Sequence, residues 1–208
     1  MPYRSTDKTR QKKDAKRTAM MQAAVRVFAE KGYHAATVRD IVSEADVAVG
    51  TFYFYFPDKE TLFGHLFEET AAFLLQAIDQ ALISRSTFAA QLEAAVQAYV
   101  NVAFYEPAVV QLLLVGGIGS APSLGERRAD YRQKLVRAWQ RTLNAALERK
   151  QIEPQNTRRT AEALVGAFDE IVYHLLSSPQ AEQERTAAVR EMVQFGLRAV
   201  GYLYAPSS

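Results

Sequence analysis

Residues 49–56 read Val-Gly-Thr-Phe-Tyr-Phe-Tyr-Phe, and the hydroxyls of Thr51, Tyr53 and Tyr55 are the groups whose type and spacing best suit recognition of a polyanion. A phenol or alcohol donates to phosphate oxygens, a small residue such as Ala48 admits close approach to a base edge, and Val49 can pack on a thymine methyl. Five consecutive aromatics taken alone favour a β-strand. No partner strand is evident, however, and the flanking cap residues and Gly50 fit a short helix. In that helix Val47, Phe52 and Phe56 turn to a core, leaving Ala48, Val49, Thr51, Tyr53 and Tyr55 outward.

The element before it must hold that helix in place. Thr37 is an N-cap with Asp40 three residues on, an imperfect capping box, and Val38, Ile41, Val42 and Ala45 follow as an apolar stripe. Asp46 tolerates a left-handed turn. Two short helices joined by such a turn let the second project into a major groove ~12 Å wide. A first helix, from roughly Asp14 to Lys31, supplies Met20, Ala24, Val27 and Phe28 as a packing face, with Gly32 placed as a left-handed cap. Pro57 and Asp58 close the unit, and Asp58 caps a long helix from Lys59 to about Ile83.

Beyond it the spacing stays helical: Ser86 or Thr87 to Phe104, Pro107 to about Val115, Leu124 to Lys150, Asn156 or Thr157 to the turn at Pro179, and Glu182 to about Leu203. The fold class expected is all-α, with about nine helices. The cluster Gly116-Gly117-Ile118-Gly119 lacks the lysine and hydroxyl residue of a phosphate loop and reads as a hinge or helix break.

Composition narrows the function classes. The net charge is only +2, yet residues 1–17 carry seven cations against Asp7 and Asp14. Residues 1–13 therefore read as a disordered basic arm that suits a polyanion or is simply solvated. The chain has no cysteine and three scattered histidines. It shows no nucleophile beside a base, no metal-ligand spacing and no dinucleotide fingerprint, so the expectation is a non-enzyme with no metal and no cofactor. No apolar stretch approaches the ~18 residues of a membrane span, and the basic N-terminus lacks the apolar region of a signal peptide, which predicts a cytoplasmic protein without membrane contact.

Residues 20–63 resemble the tetracycline-repressor (TetR) family of bacterial regulators. The ordered match runs through Phe28-Ala29-Glu30-Lys31-Gly32-Tyr33, Thr37-Val38-Arg39-Asp40-Ile41 and Val49 to Leu62. The resemblance implies a helix-turn-helix DNA-binding domain over 14–60 and a helical ligand-binding and dimerisation domain over 61–208. It also implies that Arg39 contacts a base or the backbone, that Thr51 and Tyr53 make recognition-helix contacts, and that Tyr55 and Lys59 bind phosphate. Two positions depart from the family pattern. Asp46 stands where glycine is usual, and Ala48 stands where serine is frequent and loses a hydroxyl.

What the resemblance further implies is a repressor that binds a palindromic operator on double-stranded DNA as a homodimer through its last two helices. Its recognition helices would lie ~34 Å apart, and a small apolar effector would release it by moving the fourth helix. A DNA-binding protein gated by a partner, or architectural, is the alternative. The stripe Ala161, Leu164, Val165, Phe168, Ile171, Val172, Leu175, Leu176 and the apolar positions of the final helix exceed what one core face needs. Candidates for an effector pocket are Phe63, Phe67, Phe104, Tyr105, Trp139, Phe168 and Tyr173, though aromatics at helical spacing are commonly core. Asp169, Glu170 and His174 are the polar groups nearest that stripe. Glu170 and His174 are spaced as a surface pair, and the cations Arg127, Arg128, Arg132, Lys134, Arg137 and Arg141 read as a solvated face or, alternatively, as a site for an anionic headgroup such as that of an acyl-coenzyme A.

Overall fold

In a computed structural model, residues 7–115 and 122–203 are described. Among them are nine helices: α1 (Asp7–Ala35), α2 (Val38–Glu44), α3 (Val49–Tyr55), α4 (Lys59–Ile83), α5 (Phe88–Tyr105), α6 (Pro107–Val115), α7 (Pro122–Glu148), α8 (Thr157–Ser177) and α9 (Ala181–Ala199). The protein is all-α. Its one extended pairing among these residues is an isolated antiparallel bridge between Ile152 and Tyr202. No helix among the described residues is long and apolar enough to cross a membrane.

The chain divides into two compact units within α4, between Glu69 and Thr70. In the first, Met20, Ala24, Val27 and Phe28 of α1 are buried with Ile41 and Val42 of α2, Phe52 and Phe56 of α3 and its cap, and Leu62, Phe63, Leu66 and Phe67 of α4. The boundary falls nine residues beyond the expected one after residue 60. The first turns of α4 are tied into this core by rings: Phe63 lies 5.8 Å from Phe28 and 4.8 Å from Tyr33, centroid to centroid.

α1 begins at Asp7, not near Asp14, so residues 7–13 of the expected disordered arm are helical. Residues 7–13 contain neither glycine nor proline to break it. Residues 1–6 of the arm, like the Gly116–Gly119 break, lie outside the described residues.

Gly32 interrupts α1 with φ 76 and ψ 154. This is not the left-handed cap expected but an extended, positive-φ conformation open essentially to glycine alone. The chain then resumes one turn, closed by Ala36 N–H to the Gly32 carbonyl at 3.1 Å.

The second unit is built from the rest of α4 and α5–α9, with α7 and α9 packed against α8 and α9 packed on α5. Gly196 allows the closest of these approaches, since a Cβ there would stand 2.9 Å from Leu92 and 3.3 Å from Phe168. α9 ends at Ala199, short of the expected Leu203. Gly201 turns at φ 58, and its neighbours pair with residues 151–153, where Leu203 N–H reaches the Gln151 carbonyl at 2.9 Å. α7 starts at Pro122, two residues before the expected Leu124, with proline in its first turn, where a missing N–H costs nothing.

Candidate nucleic-acid interface

Local chemistry fixes the α2–turn–α3 unit. The Thr37 hydroxyl accepts from Asp40 N–H at 3.2 Å, and the Asp40 carboxylate accepts from Thr37 N–H at 2.9 Å, so the capping box is complete. Lys31 donates to the same carboxylate at 2.8 Å. These hydrogen bonds, from Lys31 first and Thr37 next, hold the Asp40 carboxyl down at about 2.

At the other end of α2, Asp46 takes φ 50. Val47 N–H bonds the Val42 carbonyl at 3.0 Å and Asp46 N–H the Ser43 carbonyl at 3.3 Å. That pair of bonds is a Schellman closure, with aspartate in the place glycine commonly fills. Asp46 thus makes the tight turn despite departing from the glycine pattern. Ala48, the N-cap of α3, contributes no side-chain hydrogen bond.

α3 is a helix, as its flanks predicted. Phe52 and Phe56 are buried, whereas Val47 is only half-buried. Ala48, Val49 and Tyr53 are exposed; Thr51 and Tyr55 are half-exposed. None of the hydroxyls of Thr51, Tyr53 and Tyr55 is engaged in a hydrogen bond among the described residues. Sequence reasoning passed over Phe54, which at 66% is the most exposed residue of α3's aromatic run. The helical period would have found it: with 100° per residue and Phe52 and Phe56 inward, position 54 points directly away from the core.

The two cations carried over from the family pattern part company. Arg39 is exposed on α2, and the acids that could have paired with it are taken, Asp40 by Lys31 and Glu44 by Arg26 at 2.6 Å. Lys59 is turned onto the end of α1. Its ammonium donates to the carbonyls of Tyr33 at 2.6 Å, Ala36 at 2.7 Å and His34 at 3.4 Å, and stands 4.5 Å from the Tyr33 ring centroid. Burial lowers the Lys59 pKa. The ammonium's three donors are committed inside the unit, which departs from the phosphate grip expected of it.

The aromatic residues expected to line an effector pocket are divided between the two units. Phe63 and Phe67 are core residues of the first unit, 6.4 Å apart by ring centroid. In the second unit Trp139 packs on Phe168 at 5.9 Å, both buried. Phe104 lies under the Arg185 guanidinium at 4.7 Å. Tyr105 is 78% exposed, and Tyr173 is half-exposed beside His174. Helical spacing marks apolar positions but does not say which neighbouring helix each one meets. His174 and Glu170 form the exposed pair expected, at 2.9 Å.

The basic row of α7 is largely spent on local partners. Lys134 pairs with Asp130, Arg137 with Gln133, and Arg141 with Asp79. Arg128 donates to the carbonyls of Leu113 and Leu114.

One polar cluster in the second unit joins residues that the sequence places on separate faces. Asp169 on α8 accepts from the Tyr99 hydroxyl of α5 at 2.8 Å and from Arg132 of α7 at 2.9 Å. Burial, outweighing these partners, raises the Asp169 carboxyl to about 6. Tyr131, buried beside it, has a hydroxyl with no hydrogen-bond partner among the described residues. No periodicity could have joined four residues that lie on three helices.

An exposed, hydroxyl-bearing second helix held by a capped first helix and a tight turn defines a helix-turn-helix DNA-binding protein. Residues 20–66 match the family described as "Bacterial regulatory proteins, tetR family", and residues 89–196 match "Tetracyclin repressor-like, C-terminal domain". The chain belongs to the TetR family of transcriptional regulators.

Among curated relatives, the fatty acid metabolism regulator protein of Bacillus subtilis (strain 168) is 37% identical over 68 residues, 33% of this chain and 35% of that one. The HTH-type transcriptional repressor KstR2 of Rhodococcus jostii (strain RHA1) is 40% identical over 50 residues, 24% of each. The aligned part spans about a third or less of these two relatives. A regulatory protein of the tetR family from Rhodococcus RHA1 superposes with a TM-score of 0.76 at 26% identity, covering 91% of this chain and 98% of that one. The fatty acid degradation regulator FadR from Bacillus halodurans shares the fold, with a TM-score of 0.79 at 23% identity, 90% and 97% covered.

Proposed function

We propose that the protein is a ligand-responsive repressor that binds a palindromic operator as a homodimer and leaves it when a small, largely apolar effector occupies the second unit. The observation that carries the DNA-binding part is the outward face of α3, where hydroxyls of Thr51 and Tyr53 are unoccupied and Phe54 stands opposite the core. Thr51, Tyr53 and Tyr55 supply phosphate and base-edge donors, Arg39 a free guanidinium, and Ala48, Val49 and Phe54 apolar contact with thymine methyls.

Dimerisation through α8 and α9 is supported by Phe195, 45% exposed, beside an open groove of about 390 Å³ lined also by Glu191, Gln194, Arg198 and Ala199. The apolar excess is smaller than the sequence suggested. Ala161, Leu164, Val165, Phe168, Val172, Leu175, Val189, Met192 and Val200 are buried within the single chain, leaving Ile171, Leu176, Val193 and Leu197 half-exposed and Phe195 and Leu203 exposed. An effector with an apolar body is supported by the relatives, one named for fatty acid metabolism and one regulator solved in complex with stearoyl-CoA. α4 belongs to both units and is the element through which occupancy of the second would reset the first.

The test is selection from a random duplex pool at ~150 mM salt, where non-specific binding is weak, with the wild type and with Thr51→Ala/Tyr53→Phe. The expected outcome is one palindrome with half-site centres one turn apart, bound at least tenfold more weakly by the double variant, at ~1 to 3 kcal/mol per specific contact. Failure to enrich any sequence, or unchanged affinity of the variant, would remove α3 from the interface.

A further inference from the structure

The cluster around Asp169 holds a buried donor with nothing to donate to. Tyr131 is 4% exposed, and its hydroxyl lacks a hydrogen-bond partner among the described residues. Buried polar groups are paired in the great majority of cases, and an orphaned one marks a place where a partner is missing. The same side chain lies within electrostatic reach of Asp169 and Arg132, and Tyr99 within reach of Tyr131, so four polar groups from α5, α7 and α8 converge on one spot. Their own turns are apolar: Val96 and Ala103 flank Tyr99 on α5, Leu135 follows Tyr131 on α7, and Val165 and Val172 flank Asp169 on α8, all buried.

Arg132 links this cluster to the surface. Its side chain is 40% exposed and forms part of a groove of about 600 Å³ between α7 and α8, whose wall includes Gln133, Arg137, Gln140, Arg158 and Glu162. On its inner side the guanidinium holds Asp169 and passes close over Gly166, where a Cβ would stand 3.3 Å from Nη2. A side chain in that position would crowd the guanidinium. The groove wall carries three guanidiniums against one carboxylate. Behind it the Asp169 carboxyl feels both Arg132 and Arg128.

We propose that Tyr131, Arg132, Asp169 and Tyr99 form the polar end of a ligand site entered from the α7–α8 groove, and that this site takes an organic carboxylate. A carboxylate accepts from the Tyr131 hydroxyl and shares the Arg132 fork, and the excess of guanidinium charge favours an anion over a cation. A purely apolar molecule would leave Tyr131 unsatisfied and gain nothing from Arg132. The apolar turns around the cluster suit a hydrocarbon or aromatic body on that carboxylate. This rests on the ligand-responsive reading above and names the chemistry that the effector presents.

Two readouts test the site with the full-length protein. Hexanoate, dodecanoate, benzoate and phenylacetate are each compared with the corresponding alcohol by thermal unfolding, using the wild type, Tyr131→Phe and Arg132→Lys. At least one carboxylate is expected to raise the wild-type Tm by roughly 5 °C at a hundredfold excess over its Kd, its alcohol by far less, with the rise reduced by half or more in both variants. Unliganded Tyr131→Phe is expected to melt no lower than the wild type, because it deletes a hydroxyl that has no partner.

A clear fall in the Tm of unliganded Tyr131→Phe would show the hydroxyl to be satisfied within the fold and overturn the proposal. So would a panel with no active carboxylate, an alcohol as effective as its acid, or a response that Tyr131→Phe retains in full. Operator binding measured in parallel separates the two readings. If DNA binding is intact without a carboxylate response, only this site fails; if DNA binding is absent, the regulator reading fails.

Discussion

The two units put polar groups to opposite uses. On α2 and α3 the donors that matter are outside, positioned by neighbours three or four residues away: the Thr37–Asp40 box, the Asp46 turn, and the alternation that buries Phe52 and Phe56. In the second unit the cluster's paired donors are set by a partner more than 30 residues distant, Tyr99 on Asp169 across 70 positions and Arg132 on Asp169 across 37. A surface site of the first kind is specified locally. An interior site of the second kind exists only once three helices have packed.

The largest effect that separates the units is electrostatic. Asp169 is an acid whose folded pKa, about 6, lies above the ~3.9 of an unfolded aspartate. The folded state therefore holds the proton more tightly, and this group's contribution to stability is full below pH ~4 and is lost as pH rises through 6. Its size is at most about 3 kcal/mol across that window. Thermal unfolding from pH 4.5 to 7.5 is expected to show this downward slope in the wild type beyond that of Asp169→Asn. Parallel curves would mean that Arg132 and Tyr99 offset the burial, leaving the cluster no different in kind from the exposed pairs of the first unit.

The same contrast explains what could be read from the chain and what could not. Helix types, the cap at Thr37, the turn at Asp46 and the inward pair on α3 follow from period and local hydrogen bonding, and the structure reproduces them. The neighbours of the effector candidates were not legible for the converse reason: periodicity places Phe63 and Phe104 on apolar faces without stating that Phe63 meets Phe28 and Tyr33 while Phe104 meets Arg185. Phe54 is legible in the same way, since two residues from each of Phe52 and Phe56 it falls on the opposite side of the helix. Tyr131 carried no sequence signal, since its meaning lies in the absence of a partner.

Lys59 shows the limit of carrying a role across by position. The family pattern assigns it to phosphate, yet its ammonium closes the end of α1 through three carbonyls. Lys59→Ala is accordingly expected to destabilise the first unit by about 2 kcal/mol, the scale of charged hydrogen bonds lost from a partly buried site, read as a lowered Tm without DNA. A normal Tm with a flatter salt dependence of binding would restore the phosphate role and make Lys59 a surface residue like its neighbours.

Arg39 offers the smaller and sharper contrast, because it is the cation that the ion pairs of α2 leave free. With Asp40 held by Lys31 and Glu44 by Arg26, Arg39→Ala is expected to leave the Tm unchanged within about 0.5 kcal/mol, as for an exposed side chain with no partner. Its cost should appear only on DNA. If Arg39 meets a phosphate, the slope of log affinity against log salt falls by about one, equally for every sequence; if it meets a base edge, the loss is confined to one position of the half-site. A variant that unfolds more easily but binds DNA unchanged would place Arg39 among the structural cations and leave the outward face of α3 to carry recognition without help from α2.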